Sequence, residues 1–205
     1  MTRKSFSSPD KSLSTDDYKV RQLLQAGTSR LHSKLDKFSK LSLLIQPDCN
    51  LHQYTDAMCR LAQAYKLLDQ ALWAATSYNP KGLFEYQPRS SWLERDLIAL
   101  GKKLPMDFDA TLPLPPPSST GSYLGMRYVA EGAQLGGQVI TKKLLSSDLA
   151  SQLDTIGSFW TDFSQPANQW PAFLDSLEQL QYRKEIAHAI RSARVTFKHF
   201  IHYMT

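Results

Sequence analysis

The stretch that decides the reading is Gly121-Ser-Tyr-Leu-Gly125-Met-Arg-Tyr128-Val129-Ala-Glu-Gly132-Ala-Gln-Leu135-Gly136-Gly137-Gln-Val139-Ile140. Tyr128, Val129, Leu135, Val139 and Ile140 keep a helical period through it. Each interior glycine costs about 1 kcal/mol relative to alanine, so Gly132, Gly136 and Gly137 together give up on the order of 3 kcal/mol of helix propensity. The chain has only nine glycines in 205 residues, well under the roughly 7% of average proteins, so the cluster calls for a local reason. Gly132 and Gly136 share one helical face, with Gly137 beside it. Bare backbone there admits a flat ligand, or a second helix, to van der Waals distance. Both readings stand on the residues alone. A phosphate loop fits worse, because neither GxGxxG nor GxxxxGK[ST] is present and no strand precedes the segment.

The flanking sequence is helical throughout. Val20, Leu23, Leu24, Gly27, Leu31, Leu35 and Phe38 recur at three- and four-residue steps, with Ser14, Thr15 or Asp16 as the expected N-cap. Tyr54, Met58, Leu61, Tyr65, Leu68 and Leu72 form a second stripe, closed by Pro80 and Gly82. Ser91-Trp92-Leu93-Glu94 reads as a capping box opening a short helix, with Gly101 as its stop. Leu149, Leu153, Ile156 and Trp160 read as one helix, and Trp170-Pro171 as the entry to another. Ile186, Ile190, Ala193, Phe197, Phe200 and Met204 close the chain. No hairpin-like alternation appears. The expected fold is all-α and multihelical, with seven or eight helices in a single domain over 16–205. A flexible leader over 1–15 precedes it, and a Pro-rich internal linker spans 105–120.

Composition sets outer limits. A chain of this length buries a sizeable core. The charge of +5 suits an anionic ligand or acidic partner but is too weak and scattered to imply nucleic acid. Two cysteines, Cys49 and Cys59, give neither a disulfide framework nor CxxC spacing and read as free thiols. No signal-peptide h-region or apolar run of spanning length is visible, so a soluble, cytoplasmic protein is expected.

Five histidines are the candidate ligands. His32 lies at the edge of the first apolar stripe with Asp36 at i+4, where a carboxylate can fix an imidazole. A boundary histidine with a helical charge partner would look the same. His52 sits near a helix start and reads as solvated. Glu185-Ile-Ala-His188 is a single Glu-x-x-His, whereas a di-iron bundle needs two and further carboxylates. His199 and His202 read as a solvated helix face. No GxSxG elbow is present.

Taken together these residues resemble the bacterial biliverdin-producing heme oxygenase family. Leu23 to His32 resembles its first helix, Pro88-Arg89 through Trp92 and Asp96 to Gly101 a middle helix, and Tyr128 to Ile140 its distal helix. Phe159-Trp160, Trp170 to Phe173 and Phe197 to Met204 follow in order. The resemblance implies heme b held between two helices and cleaved, with O2 and electrons, to biliverdin, Fe2+ and CO. It implies His32 as iron ligand, Asp36 as its support, and Gly132, Gly136 and Gly137 over the distal face. It further implies heme contacts from among Arg21, Arg30, Tyr128, Gln138, Lys142 and Phe197, with Lys143 as an alternative to Lys142. Gln25 stands where a propionate-pairing cation is common in the family, and Ala133 where some relatives carry an aspartate. The implied electron donor is a ferredoxin, flavodoxin or flavin reductase. A heme- or bilin-binding protein of the same fold without turnover is the alternative.

Overall fold

The structure is a computed structural model that describes residues 19–102, 114–163 and 169–205. The expected leader, the first N-cap candidates and most of the 105–120 linker lie outside these residues. Among the described residues there are eight α-helices and no strand. They are α1 (Val20–Phe38), α2 (Leu51–Trp73), α3 (Ser90–Ala99), α4 (Thr120–Leu144), α5 (Leu153–Ile156), α6 (Ser158–Phe163), α7 (Gln169–Glu178) and α8 (Arg183–Met204). None is long and apolar enough to cross a membrane.

The expected stripes of α2 and α8 are buried faces, whereas that of α1 is buried at Val20 and Leu24, partly buried at Leu23, Leu31 and Leu35, and ends on Phe38, which is 69% exposed. Tyr54, Met58, Leu61, Tyr65, Leu68 and Leu72 of α2 are all buried, as are Ala193, Phe197, Phe200 and Met204 of α8. Helix α8 is the spine, with α1, α2 and α4 all packed against it. Two glycines make the α4 crossing close: a Cβ on Gly121 or Gly125 would lie 2.1 Å from the backbone oxygen of Glu185 or Ala189. On the α1 side, a Cβ on Gly27 would lie 2.8 Å from a methyl of Ile190. The packing reading of glycine therefore holds at Gly121 and Gly125, at the N-terminal end of α4.

Several helix starts differ from local expectation. No side-chain cap forms at Ser91 in α3. Instead Asp69 of α2 accepts the Arg89 and Ser90 N–H groups at 2.9 and 2.8 Å, and Glu94 pairs with Lys66 at 2.9 Å. The N–H groups of Val20 and Arg21 donate to the Glu178 carboxylate of α7 at 2.8 and 3.1 Å. Those of Ser158 and Phe159 donate to Asp96 of α3 at 3.0 and 2.8 Å. The expected stop at Gly101 is present, at φ +68, with the Lys102 N–H reaching back to the Leu97 carbonyl at 2.8 Å as in a Schellman close. The single helix expected over 149–160 is broken at Gly157 into a short 3-10 turn, α5 and α6. Its four stripe residues are nonetheless all buried.

Candidate functional site

His32 projects from a face of α1 shared with Arg21, Gln25 and Asp36. Its side chain is 61% exposed, and its Nδ1 lies 2.7 Å from Asp36 Oδ2. A neutral imidazole held this way carries its proton on Nδ1 and presents the Nε2 lone pair. The ring edge meets Phe197 of α8 at 5.6 Å between centroids and 63° between planes. Two restraints thus orient an otherwise open imidazole: a carboxylate on its own helix and a buried aromatic on the next.

Contacts along α8 set the relative level of α1 and α4. Gly125 meets Ala189 and Gly27 meets Ile190, while His32 meets Phe197. Both helices therefore run along α8 in the same direction. Seven residues beyond Gly125 lies Gly132, and seven beyond Ala189 lies Thr196, beside Phe197. His32 and the start of the open glycine stretch stand at one level on two flanks of the spine.

The glycines of α4 separate into two kinds along its length. Gly121 and Gly125 are filled by α8. At Gly132 a Cβ would approach the Trp170 ring of α7 at 3.3 Å, and at Gly136 it would meet nothing within 4 Å among the described residues. Leu135 and Val139 flank Gly136 at 50% and 55% exposure. Bare backbone with two exposed aliphatic side chains is a surface for a flat apolar ring. Gly137 is buried, and its carbonyl accepts from the Thr141 hydroxyl at 2.9 Å. Tyr128, one turn before Gly132, packs on Trp170 at 5.7 Å. Burial pushes the Tyr128 phenol up, and the charge of Arg21 opposes that rise. Arg21 therefore stands near Tyr128.

The remaining candidates lie elsewhere. Arg30 is exposed and sits roughly 160° around α1 from His32. Gln138 and Lys142 line a shallow recess of ≈ 400 Å³ with Thr141, Leu145 and Ser146. That recess is on another side of α4 from Gly136, whereas Lys143 shares the Gly136 face. The expected solvated face at His199 is corrected. His199 is 1% exposed, its Nε2 lies 2.9 Å from the Ala64 carbonyl, and burial holds its pKa below the usual imidazole value. His52 and His202 are exposed. His188 Nδ1 meets the Ser119 hydroxyl at 3.0 Å, and Glu185 Oε2 accepts the Gly121 N–H at 2.5 Å. The lone Glu-x-x-His thus secures the start of α4.

Sequence reasoning missed a charged cluster behind the glycines. Arg127 and Glu131 of α4 are fully buried and Arg89 nearly so. Glu131 accepts from Arg127 at 2.7 Å and from Arg89 at 2.9 Å. The available signal was an Arg and a Glu four apart inside an otherwise apolar helical stretch.

With this geometry in place, comparison with known proteins gives a consistent answer. The heme oxygenase family model matches residues 19–205. A heme oxygenase of Xanthomonas campestris pv. campestris (strain 8004) is 37% identical over 118 residues, which is 57% of this chain and 67% of that protein. The solved NO- and CO-bound heme oxygenase from Neisseria meningitidis shares the fold. It has a TM-score of 0.67 and 24% identity, covering 90% of this chain and 89% of that one.

Proposed function

This chain belongs to the heme oxygenase family, and from that premise we propose how its own residues hold heme for cleavage. The activity is O2- and electron-dependent conversion of heme, as substrate, to biliverdin, Fe2+ and CO. The observation that carries the site assignment is the register along α8 that sets His32 at the level of Gly132 on the other flank, with the open backbone of Gly136 about one turn beyond.

His32 Nε2 is the iron ligand in this reading. Asp36 keeps the Nδ1 proton in place and makes the imidazole more basic. The Phe197 edge fixes the ring plane. Gly132 and Gly136 give the distal side a wall of bare backbone, with Gly137 buried behind them, and Leu135 and Val139 supply its apolar contact. The absence of a Cβ at Gly136 would spare space over the face of a bound heme, where the family's chemistry requires O2 to enter. Bound heme supplies the redox chemistry, and the protein supplies ligation, orientation and exclusion of bulk water.

For the propionates, Arg21 is the α1 cation in reach, three turns before His32 on the same face and within electrostatic range of Tyr128. On α4, Lys143 shares the Gly136 face, and Gln138 and Lys142 are assigned to the rim. The ring is heme b, and the protein works in the cytoplasm. Its donor is an acidic ferredoxin, flavodoxin or flavin reductase. Arg30, Lys34 and Lys37 of α1 and Arg191, Arg194 and Lys198 of α8, all exposed, suit docking of such a donor and raise its association rate.

Spectral titration with hemin tests the site. One equivalent should give a Soret band, and reduction in air should bleach it as a bilin band grows. His32→Ala should lose turnover or change axial ligation. Absence of hemin uptake by the parent chain would overturn the assignment, and a stable Soret band under reductant and O2 would point to a binding protein without turnover.

A further inference from the structure

The open half of α4 has a mechanical problem. Helices are normally fixed in rotation by side chains that interlock with their neighbours. Gly132 and Gly136 offer no such side chain, and Leu135 and Val139 between and beyond them are exposed. Apolar residues on the opposite face, such as Ile140 and Leu144, pack without directional bonds, and the directional contact there is the long one from the Thr141 hydroxyl to the Trp160 carbonyl at 3.3 Å. The face offered toward His32 therefore needs a directional anchor close to Gly132.

Glu131, the residue before Gly132, is such an anchor. Its Oε1 accepts from Arg127 Nε and Nη2 at 3.1 and 2.7 Å, and its Oε2 from Arg89 Nη2 at 2.9 Å. Each guanidinium is tied outward in turn. Arg127 Nη1 donates to Asn79 Oδ1 at 3.0 Å and to the Phe84 carbonyl at 2.9 Å, and its guanidinium lies 4.6 Å from the Phe84 ring centre. Arg89 donates to the Gln87 carbonyl at 2.7 Å, and its backbone N–H meets Asp69. Asp69 also accepts from Tyr86 at 2.6 Å. Two cations and two carboxylates thus balance in a buried set spanning α2, α3, α4 and the 79–89 connection. Such a set is a poor source of stability, because well-packed apolar residues often do as well; its attested use is to specify one geometry.

We propose that Glu131 is a positioning residue: clamped between Arg127 and Arg89, it fixes the rotation of α4 about its axis and so aims the Gly132–Gly136 face at His32. In its bearing on heme this rests on the assignment above. The clamp itself belongs to the heme-free protein.

The test uses the full chain labelled with 5-fluorotryptophan and read by 19F NMR without hemin. Trp170 reports on α4, because its ring lies against Gly132. Its line is assigned by loss in Trp170→Phe. The informative variant replaces the three clamp residues together, as Arg89→Met, Arg127→Leu and Glu131→Leu; the Asp69 carboxylate that stays behind keeps its hydrogen bonds from the Tyr86 hydroxyl and from the backbone N–H groups of positions 89 and 90. We expect a cooperatively folded protein in which the Trp170 line splits or broadens more than twofold, while the line of exposed Trp73 is unchanged. Hemin-loaded triple variant should give a mixture of bilin isomers where the parent gives one. A folded triple variant with a single Trp170 line of parental width would overturn the proposal, since a merely stabilising cluster changes the melting point and not the number of α4 settings. Should the triple variant not fold, Glu131→Gln keeps the shape and removes the charge, and the same criterion applies to its Trp170 line. A parent chain that takes up no hemin would sink the site assignment while leaving this readout in force.

Discussion

A methyl group added at Gly125 and one added at Gly136 meet opposite surroundings on the same helix. At Gly125 it would lie 2.1 Å from the Ala189 carbonyl oxygen, which is backbone and cannot step aside. At Gly136 it would meet nothing within 4 Å among the described residues. Gly136→Ala should therefore stabilise the heme-free protein by about 0.4–1 kcal/mol, through helix propensity and a less flexible unfolded chain. In a chain of this size that is a rise of roughly 1–4 °C in melting temperature. Gly125→Ala should lower the melting temperature by more than that. The same Gly136→Ala change puts a methyl group against the proposed distal face, so hemin affinity should fall or the Soret maximum should move. Calorimetry on the two heme-free variants, followed by hemin titration, checks both halves. A Gly136→Ala protein that is more stable and binds hemin like the parent would remove Gly136 from the site. Glycine spacing alone could not separate these fates, because they depend on which helix, if any, lies opposite.

Helix ends show the same division between local and distant causes. Asp69, Asp96 and Glu178 each receive N–H groups at the start of a helix other than their own, where a carboxylate also meets the positive end of the helix dipole. Asp96→Ala strips the first two N–H groups of α6 of their acceptor and should cost about 1–2 kcal/mol. Asp96→Asn keeps an amide oxygen as acceptor and should cost less. Ser91→Ala should be close to neutral, because α3 is capped by Asp69 instead. Urea unfolding of the three variants orders them, and a Ser91→Ala cost equal to that of Asp96→Ala would contradict the capping assignment. The helices themselves were legible, since stripes such as Tyr54 to Leu72 or Ile186 to Met204 are local periodicities. The caps were not, since Asp96 and Ser158 are 62 residues apart in sequence and no pattern of three or four residues reveals them. The break at Gly157 escaped for a related reason: the buried stripe continues across it. The site was legible only as a combination. His32 with Asp36, or the glycines alone, each admit an ordinary structural account, and it is α8 that brings them to one level.

At the scale of the whole molecule, everything turns on α8, and one of its buried residues makes that spine sensitive to acid. His199 is 1% exposed and packed against Tyr203, with ring centroids 4.9 Å apart. Its Nε2 lies against the Ala64 carbonyl of α2, which it meets as an N–H donor, and Nδ1 has no hydrogen-bond partner among the described residues. Burial, aided by the nearby charge of His202, holds its pKa below the usual value. In the unfolded chain the imidazole titrates near 6.5, as in model peptides. The folded state therefore holds this proton less readily than the unfolded state. The stabilisation from neutral His199 is complete above about pH 6.5 and is lost as pH falls through that value toward the folded pKa. For one proton the slope is at most about 1.4 kcal/mol per pH unit. Burial raises Asp69 and Asp96 instead. Folding then favours their protonated forms, so their effect has the opposite sign: it is complete below the ordinary carboxylate pKa and is lost as pH rises through their folded values. Urea unfolding between pH 7.5 and 5.5, run in parallel on the parent and a variant at His199, cancels what both proteins share from Asp69 and Asp96 and leaves the His199 contribution. His199→Gln can still donate to the Ala64 carbonyl but cannot titrate. It should be less stable than the parent at pH 7.5, and the gap should narrow toward pH 5.5. Parallel stability curves for the two proteins would mean that some other group sets the acid limit of the fold.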